Sequence, residues 1–147
     1  MKTIRIILFV GLCFQFQQAA AQTTYNMAGN WTVDADKTFD SMSVQQKVKY
    51  DNMPLQKRQE IKQSFQNRTF HFLDNTQAEI SFTVQGNSKL IKGNWTYESD
   101  NKRLIINSEG KSSEYIIKWL DNNQVQLLFA TVAPQGLLQS LFLLRNN

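Results

Sequence analysis

The sequence predicts an all-β protein: an eight-stranded antiparallel up-and-down barrel with a helical hairpin inserted between the first and second strands. Three observations predict it. Apolar and polar residues alternate along a succession of short segments, the period of a half-buried strand. The links between those segments are short and rich in turn-forming residues, so consecutive strands should pair as antiparallel neighbours. One stretch, near residues 43 to 66, abandons alternation for helical spacing.

The chain opens on a segment that is read as a leader and not as part of the fold. Lys2 and Arg5 precede an almost unbroken apolar run from Ile6 to Phe16, and Ala19-Ala20-Ala21 follows. A basic start, a short apolar core and an A-x-A-like site are the pattern of an export signal, and the run is too short to span a bilayer. Residues 1–21 are therefore expected to be a signal peptide and 22–147 the folded domain, exported to the periplasm or secreted. Removing 21 of the 147 residues leaves 126, enough for one compact core. It also removes two of the 16 basic residues, leaving 14 against 12 acidic ones, a net of +2. That balance gives no reason to expect nucleic acid as a partner. Cys13, the single cysteine, leaves with the leader, so the domain must rely on its apolar core without a disulfide. Leu12 before Cys13 disfavours a lipoprotein signal, and no later apolar run is long enough for a membrane helix.

Gly29 to Val33 alternates and is read as the first strand. Asp36 to Met42 is polar and turn-like. Ser43 can cap a helix whose Val44 and Val48 lie one turn apart, Pro54 suits the start of a second helix, and Leu55, Ile61 and Phe65 can share its face. The cations of this hairpin read as a solvated face, diluted by Glu60 and several glutamines. Strands are then expected at 69–73, 77–84, 90–98, 103–107, 114–120, 125–131 and 137–145. Their separators are Asp74-Asn75, Gly86-Asn87, Asp100-Asn101, Glu109-Gly110, Asp121-Asn122-Asn123 and Pro134-Gln135-Gly136. Eight strands can close a sheet on itself and remove both edges. Phe70 and Phe72, Ile80, Phe82 and Val84, Ile91, Trp95 and Tyr97, Leu104 and Ile106, and Val125, Leu127 and Phe129 fall on one parity of their strands, with mostly polar neighbours between. An apolar lumen and a polar exterior are expected, the reverse of a porin. The last strand and Tyr115 to Trp119 are apolar on both faces, which leaves their parity open.

Gly29-x-Trp31 on the first strand, seven further short strands and Arg145 at the end of the last resemble the lipocalin group of calycin barrels. The second G-x-W, Gly93-Asn94-Trp95, makes the chain similar to small bacterial lipocalin-like domains over roughly residues 27 to 147. The resemblance implies that Trp31 closes the bottom of the barrel with Arg145 lying across its ring. A guanidinium over an indole is worth on the order of 1 kcal/mol by cation–π attraction. The chain lacks a convincing T-D-Y-like late turn and a helix after the last strand. Fatty-acid-binding proteins share G-x-W and an inserted helix pair, but they use ten strands and a late R-x-Y motif that this chain does not show. The repeated Gly-Asn-Trp-Thr at 29 and 93 has unmatched flanks, so glycine preceding an aromatic closure explains it better than duplication.

No residue pattern points to catalysis. His71 is the sole histidine, expected on the barrel exterior, without a nucleophile or metal-ligand companions. Asp34 with Asp36 and Glu98 with Asp100 read as wet turn carboxylates, where nothing raises a pKa for general acid work. The expected function is therefore non-enzymatic, with no cofactor and no metal: binding of a small hydrophobic ligand in the lumen. The expected lining is Phe65, Phe72, Phe82, Trp95 and Phe129, at the end away from Trp31 and beneath the helical hairpin. The alternative is a cell-envelope scaffold with a filled barrel, docking an unspecified protein through the hairpin or an apolar outer face around Leu141 and Leu143.

Overall fold

The computed structural model describes residues 25–74, 76–131 and 136–146. The leader segment 1–21, Asn75 of one expected turn and Pro134-Gln135 of another lie outside the described residues. Among the described residues, eight strands close into a barrel in sequence order, each pairing antiparallel with the next and the last with the first. They are β1 (Gly29–Val33), β2 (Thr69–Phe72), β3 (Gln77–Val84), β4 (Asn87–Glu98), β5 (Arg103–Ser108), β6 (Lys111–Asp121), β7 (Gln124–Phe129) and β8 (Ser140–Asn146). Between β1 and β2 lie α1 (Ala35–Asp40), α2 (Val44–Asp51) and α3 (Leu55–Gln66). The barrel thus has a helix end, shared with the β3–β4 and β5–β6 turns, and an opposite end. The start of β1, the end of β8 and the β2–β3, β4–β5 and β6–β7 turns meet at that opposite end.

Turn chemistry sets the register. Gln85-Gly86 and Glu109-Gly110 each place both residues at positive φ, the two-residue hairpin geometry whose twist matches its strands. The first of these turns falls one residue before the expected Gly86-Asn87, so β4 begins at Asn87. The two G-x-W glycines answer different needs. Gly29 has φ of +124°, a conformation side-chain-bearing residues rarely adopt. Gly93 lies where β5 crosses so closely that a Cβ would come within 2.2 Å of the Asn107 carbonyl oxygen. Separate physical demands therefore account for the repeat.

The inward parity is as expected for β2, β5 and β7, where Phe70, Phe72, Leu104, Ile106, Val125 and Leu127 are buried. On β3 the core contact begins at Ala78, while Ile80 and Phe82 are half-buried and Val84 is exposed. The two open parities resolve to Tyr115, Ile117 and Trp119 on β6 and to Leu141 and Leu143 on β8. Leu141 and Leu143 are 1% and 0% exposed, which removes the outer face expected around them. They alternate inward because β8 pairs Leu143 with Val33 and Val125, both core residues. The polar segment after β1 forms a helix instead of a turn: Asp34 caps α1 by accepting the Lys37 N–H at 3.0 Å. The buried Thr38 hydroxyl accepts the Phe142 N–H at 3.0 Å, tying α1 to β8.

Ser43 caps α2 as expected, and Gln46 bonds back to it to complete a capping box. Only part of the apolar face expected of the hairpin is covered: Ile61 and Phe65 are half-buried. Val44, Val48 and Leu55 are 80%, 55% and 62% exposed. The α2 seat is instead the buried Gln46 and Tyr50, whose ring lies 5.3 Å from Phe39 and whose hydroxyl donates to the Arg58 carbonyl.

At the closed end Trp31 is fully buried, its indole N–H donating to the Met27 carbonyl at 2.8 Å. Arg145 faces Trp31 across the β1–β8 ladder and lays its guanidinium 4.6 Å from the ring. It also donates to the Asn26 carbonyl, so the N-terminal segment is fastened beneath the barrel. Trp119 meets Trp31 edge-on at 6.0 Å and stacks on Tyr25 at 4.6 Å.

Trp31→Ala should cost roughly 3–5 kcal/mol, because a large, fully enclosed ring leaves a cavity, and Arg145→Ala should cost about 1 kcal/mol. Urea unfolding of the two variants checks both. Gly93→Ala should destabilise by about 1–3 kcal/mol, since the neighbouring atom is backbone and cannot swing aside. A Gly93→Ala variant as stable as the parent chain would contradict the close approach of β4 and β5.

Candidate functional site

The five aromatic residues expected to line one pocket divide between the two ends of the barrel. Phe72 and Trp95 belong to the end of Trp31. Their rings lie 5.2 Å apart, and the Trp95 indole N–H donates at 2.9 Å to the Leu73 carbonyl beside the β2–β3 turn. Both are buried in the packed interior. Phe65, Phe82 and Phe129 belong to the helix end and are half-buried. Phe65 on α3 meets Phe39 edge-on at 5.8 Å, and Phe129 on β7 packs 5.2 Å from Tyr115 on β6. Gly29, Trp31 and Arg145 form the closure already described.

A residue absent from the sequence-based lining organises the helix end. Arg68 immediately precedes β2, and its carbonyl accepts the Val33 N–H, so it continues the strand's inward file of Phe70 and Phe72. Its guanidinium lies 4.4 Å from the Phe65 ring and 5.2 Å from the Phe82 ring. It donates to the Ser64 hydroxyl at 3.3 Å. Its Nε is buried without an acceptor, and among the described residues no carboxylate is paired with it. The signal for it was available in the period-2 file Arg68, Phe70, Phe72, which sets a cation on an otherwise apolar face.

Burial pushes the Arg68 guanidinium below its ordinary value, opposed by its electrostatic attraction to Tyr115. The group keeps its charge at neutral pH. Burial pushes the Tyr115 phenol up, and the Ser113 hydrogen bond and the Arg68 charge pull the other way.

Beside this cluster a cleft of about 180 Å³ opens between α3 and the β3–β4 turn, lined by Lys57, Glu60, Ile61, Ser64, Phe65, Val84 and Gln85. A more polar depression of about 420 Å³ adjoins it and shares Glu60 and Gln85. Glu60 is held at the rim by Lys57 at 3.8 Å and Gln56 at 3.3 Å. The cleft alone is smaller than a pocket for a drug-sized ligand, typically about 300 Å³ or more. Its wall is lightly seated: α3 buries no residue fully and starts at Pro54 without a side-chain cap.

The residues considered for catalysis hold structural positions. His71 lies on the outward parity of β2, across from Asn30 and Glu79. Asp34 caps α1, Asp36 pairs with Lys62 at 3.3 Å, and Glu98 pairs with Arg103 at 3.7 Å. Among the described residues no three His, Cys, Asp or Glu side chains gather as a metal site, and no helix is long and apolar enough to cross a membrane.

The chain is an eight-stranded, all-antiparallel closed β-barrel, an architecture consistent with a calycin-like fold. No protein-family model, curated protein or solved structure matches it.

Because the folded state holds the Tyr115 proton more tightly than the unfolded chain, this group's contribution to stability is complete below about pH 10, the ordinary tyrosine value. It declines as pH rises further, since the unfolded chain ionises first. Tyr115→Phe should therefore flatten the alkaline loss of stability and remove the highest-pH component of the tyrosinate absorbance titration. An unchanged titration would place the phenol in water.

Proposed function

We propose that the protein is an exported, non-enzymatic lipocalin-like barrel that binds a small hydrophobic ligand at its helix end. The observation that carries this reading is the inequality of the two ends. One is sealed by a buried tryptophan under an arginine, with each of these polar side chains bonded to a backbone carbonyl. The other has half-buried aromatics, a cleft and a helix without a fully buried residue. Aromatic side chains with a few polar groups at a partly open mouth are what a small-molecule site requires. The leader of residues 1–21 supports export to the periplasm or beyond the cell.

A scaffold role is favoured by one observation, the exposure of Val44, Val48 and Leu55 on the outer side of α2 and α3. Native mass spectrometry of protein purified from its own host separates the two readings. A co-purifying small apolar molecule supports ligand binding. A bare barrel carried with a stoichiometric protein partner overturns it in favour of the scaffold.

Binding of the neutral apolar fluorophore Nile red should weaken several-fold in Phe65→Ala with a modest loss of stability. Phe72→Ala should leave that binding unchanged while costing roughly 3–5 kcal/mol. Fluorescence titration and thermal unfolding of both variants check the expectation; equal effects on binding would show that the two ends do not act separately.

A further inference from the structure

We propose that the stretch Asn87 to Lys92 of β4 is a docking edge for a second copy of this chain, the two copies pairing antiparallel about a two-fold axis through Leu90. The observation behind it is a mismatch of strand lengths at the helix end. β4 pairs with β3 from Asn87 onward, but its ladder with β5 begins only at Gly93, because β5 turns into β6 after Ser108. Asn87 to Lys92 therefore has a neighbouring strand on one side only. Hairpin geometry fixes which groups that leaves over. Val84 and Asn87 face each other across the Gln85-Gly86 turn, so alternate residues from Asn87 aim their N–H and C=O at β3. Ser88, Leu90 and Lys92 aim theirs the other way. Asn94, next in that file, meets Asn107 of β5. Among the described residues no backbone group of another segment takes those of Ser88, Leu90 and Lys92.

Other overhanging strand ends of the barrel are covered. Phe142 of β8 lies before the β1 ladder begins at Leu143; Thr38 of α1 accepts its N–H, and its carbonyl accepts the Asp34 N–H at 2.8 Å. The end of β3 beyond Ser81, where β2 stops, meets α3 across the cleft. The β4 overhang has no such cover. Ser88, Lys89 and Lys92 are exposed, and Leu90 is 55% exposed. A row of unpaired peptide groups beside an exposed aliphatic side chain is a template for another strand.

This edge is complementary to itself. With Leu90 opposite Leu90 of the second copy, Ser88 falls opposite Lys92, and each of these positions can exchange a pair of hydrogen bonds. The two leucines then lie side by side on the outer face. Lysine ordinarily guards a sheet edge, but in this register no lysine faces a lysine: Lys92 is opposite Ser88, and Lys89 is opposite Ile91. The two Lys92 residues stand roughly 14 Å apart, beyond a Debye length of about 8 Å. Each is also neutralised by Glu79 at 2.9 Å. The same register carries the Gln85-Gly86 turn of the second copy past Gly93 to Asn94. There a depression of about 450 Å³, lined by Lys92, Gly93, Asn94 and Asn107 among others, opens beside the β5–β6 turn. A turn with glycine at its tip suits that hollow, which favours a second copy over an unrelated extended peptide.

One strand edge is a small contact, so the dimer belongs to the weak class, below about 1,200 Å² of buried surface. Sedimentation velocity of the folded protein between about 10 μM and about 1 mM is expected to show a reversible monomer–dimer equilibrium. Leu90→Pro removes an outward N–H without touching the β3 ladder. It should weaken dimerisation about tenfold or more, since each copy loses a hydrogen bond at the axis. Leu90→Lys sets two like charges opposite each other and should act in the same direction. Val48→Lys, on the exposed side of α2, should leave the equilibrium unchanged. A chain monomeric throughout that range leaves the edge to an unrelated extended peptide and overturns the proposal. A dimer that survives Leu90→Lys also overturns it, and a dimer lost in Val48→Lys alone transfers the interface to the helices. Should neither Leu90 variant fold, amide hydrogen exchange of Ser88, Leu90 and Lys92 in the parent chain decides. Exchange that slows as concentration rises supports the pairing, and rates independent of concentration overturn it.

Discussion

The structure depends on the closure of β1 against β8. β1 has five residues and must serve as neighbour to both β2 and β8, so a short ladder on each side determines whether the sheet is a barrel or an open strip with two edges. The closure is reinforced where it is shortest. Trp31 and Arg145 face each other across the ladder, the indole beneath the guanidinium, and the indole N–H and one guanidinium amino group are taken by the Met27 and Asn26 carbonyls. The same four groups fasten the segment before β1 under the barrel, where Tyr25 stacks on Trp119. One side-chain pair therefore joins the sheet edges, covers the core and positions the N-terminal segment. The Trp31 side of this pair is fully buried, where its indole hydrogen bond gains from the low local dielectric.

Completing one end so fully concentrates the variable features at the other. The insertion of three helices between β1 and β2 places α1, α2 and α3 at the helix end, where they touch the barrel through few fully buried groups: Ala35 and Thr38 of α1, Gln46 of α2 and none of α3. Helix α1 is an extension of the barrel wall, since Thr38 satisfies a backbone N–H of β8. Helix α3 is held by half-buried apolar contact with β3 and by the Phe39–Phe65 ring pair. Local opening is cheapest where few apolar contacts must be broken, which assigns the most movable wall to the side bearing the cleft.

Much of the fold was legible because its determinants are local. Alternation gave the faces of β2, β5 and β7, and the Glu109-Gly110 turn lies where its residues allow positive φ. The Ser43 cap could be read for the same reason, as both partners lie within one turn. The features that escaped are those decided by distant partners. Leu141 and Leu143 could not be assigned a face from a strand apolar on both sides; the pairing with Val33 and Val125 decides it. The segment 35–40 reads as a turn by composition and becomes helical because Thr38 finds a partner on β8, more than one hundred residues along the chain. Val44, Val48 and Leu55 carry helical spacing without burial, since nothing in the fold covers that side.

The candidate site was legible in composition but not in place. Large aromatics announce apolar contact without saying which end of a barrel they serve, and the division of Phe72 and Trp95 from Phe65, Phe82 and Phe129 follows from tertiary register alone. Charge is the better indicator. An apolar side chain on an inward file is explained by packing, whereas a cation there needs an explanation of its own. Arg145 and Arg68 both lie on inward files and both cover aromatic rings, which makes them a controlled comparison within one molecule. At the closed end the guanidinium meets a backbone carbonyl and an indole, with its Nε buried without an acceptor. At the helix end the same group meets a hydroxyl and two phenyl rings beside a cleft, and its Nε is likewise buried without an acceptor. The two differ in the partner that fixes the guanidinium, a backbone carbonyl of the N-terminal segment in one case and a side-chain hydroxyl of α3 in the other.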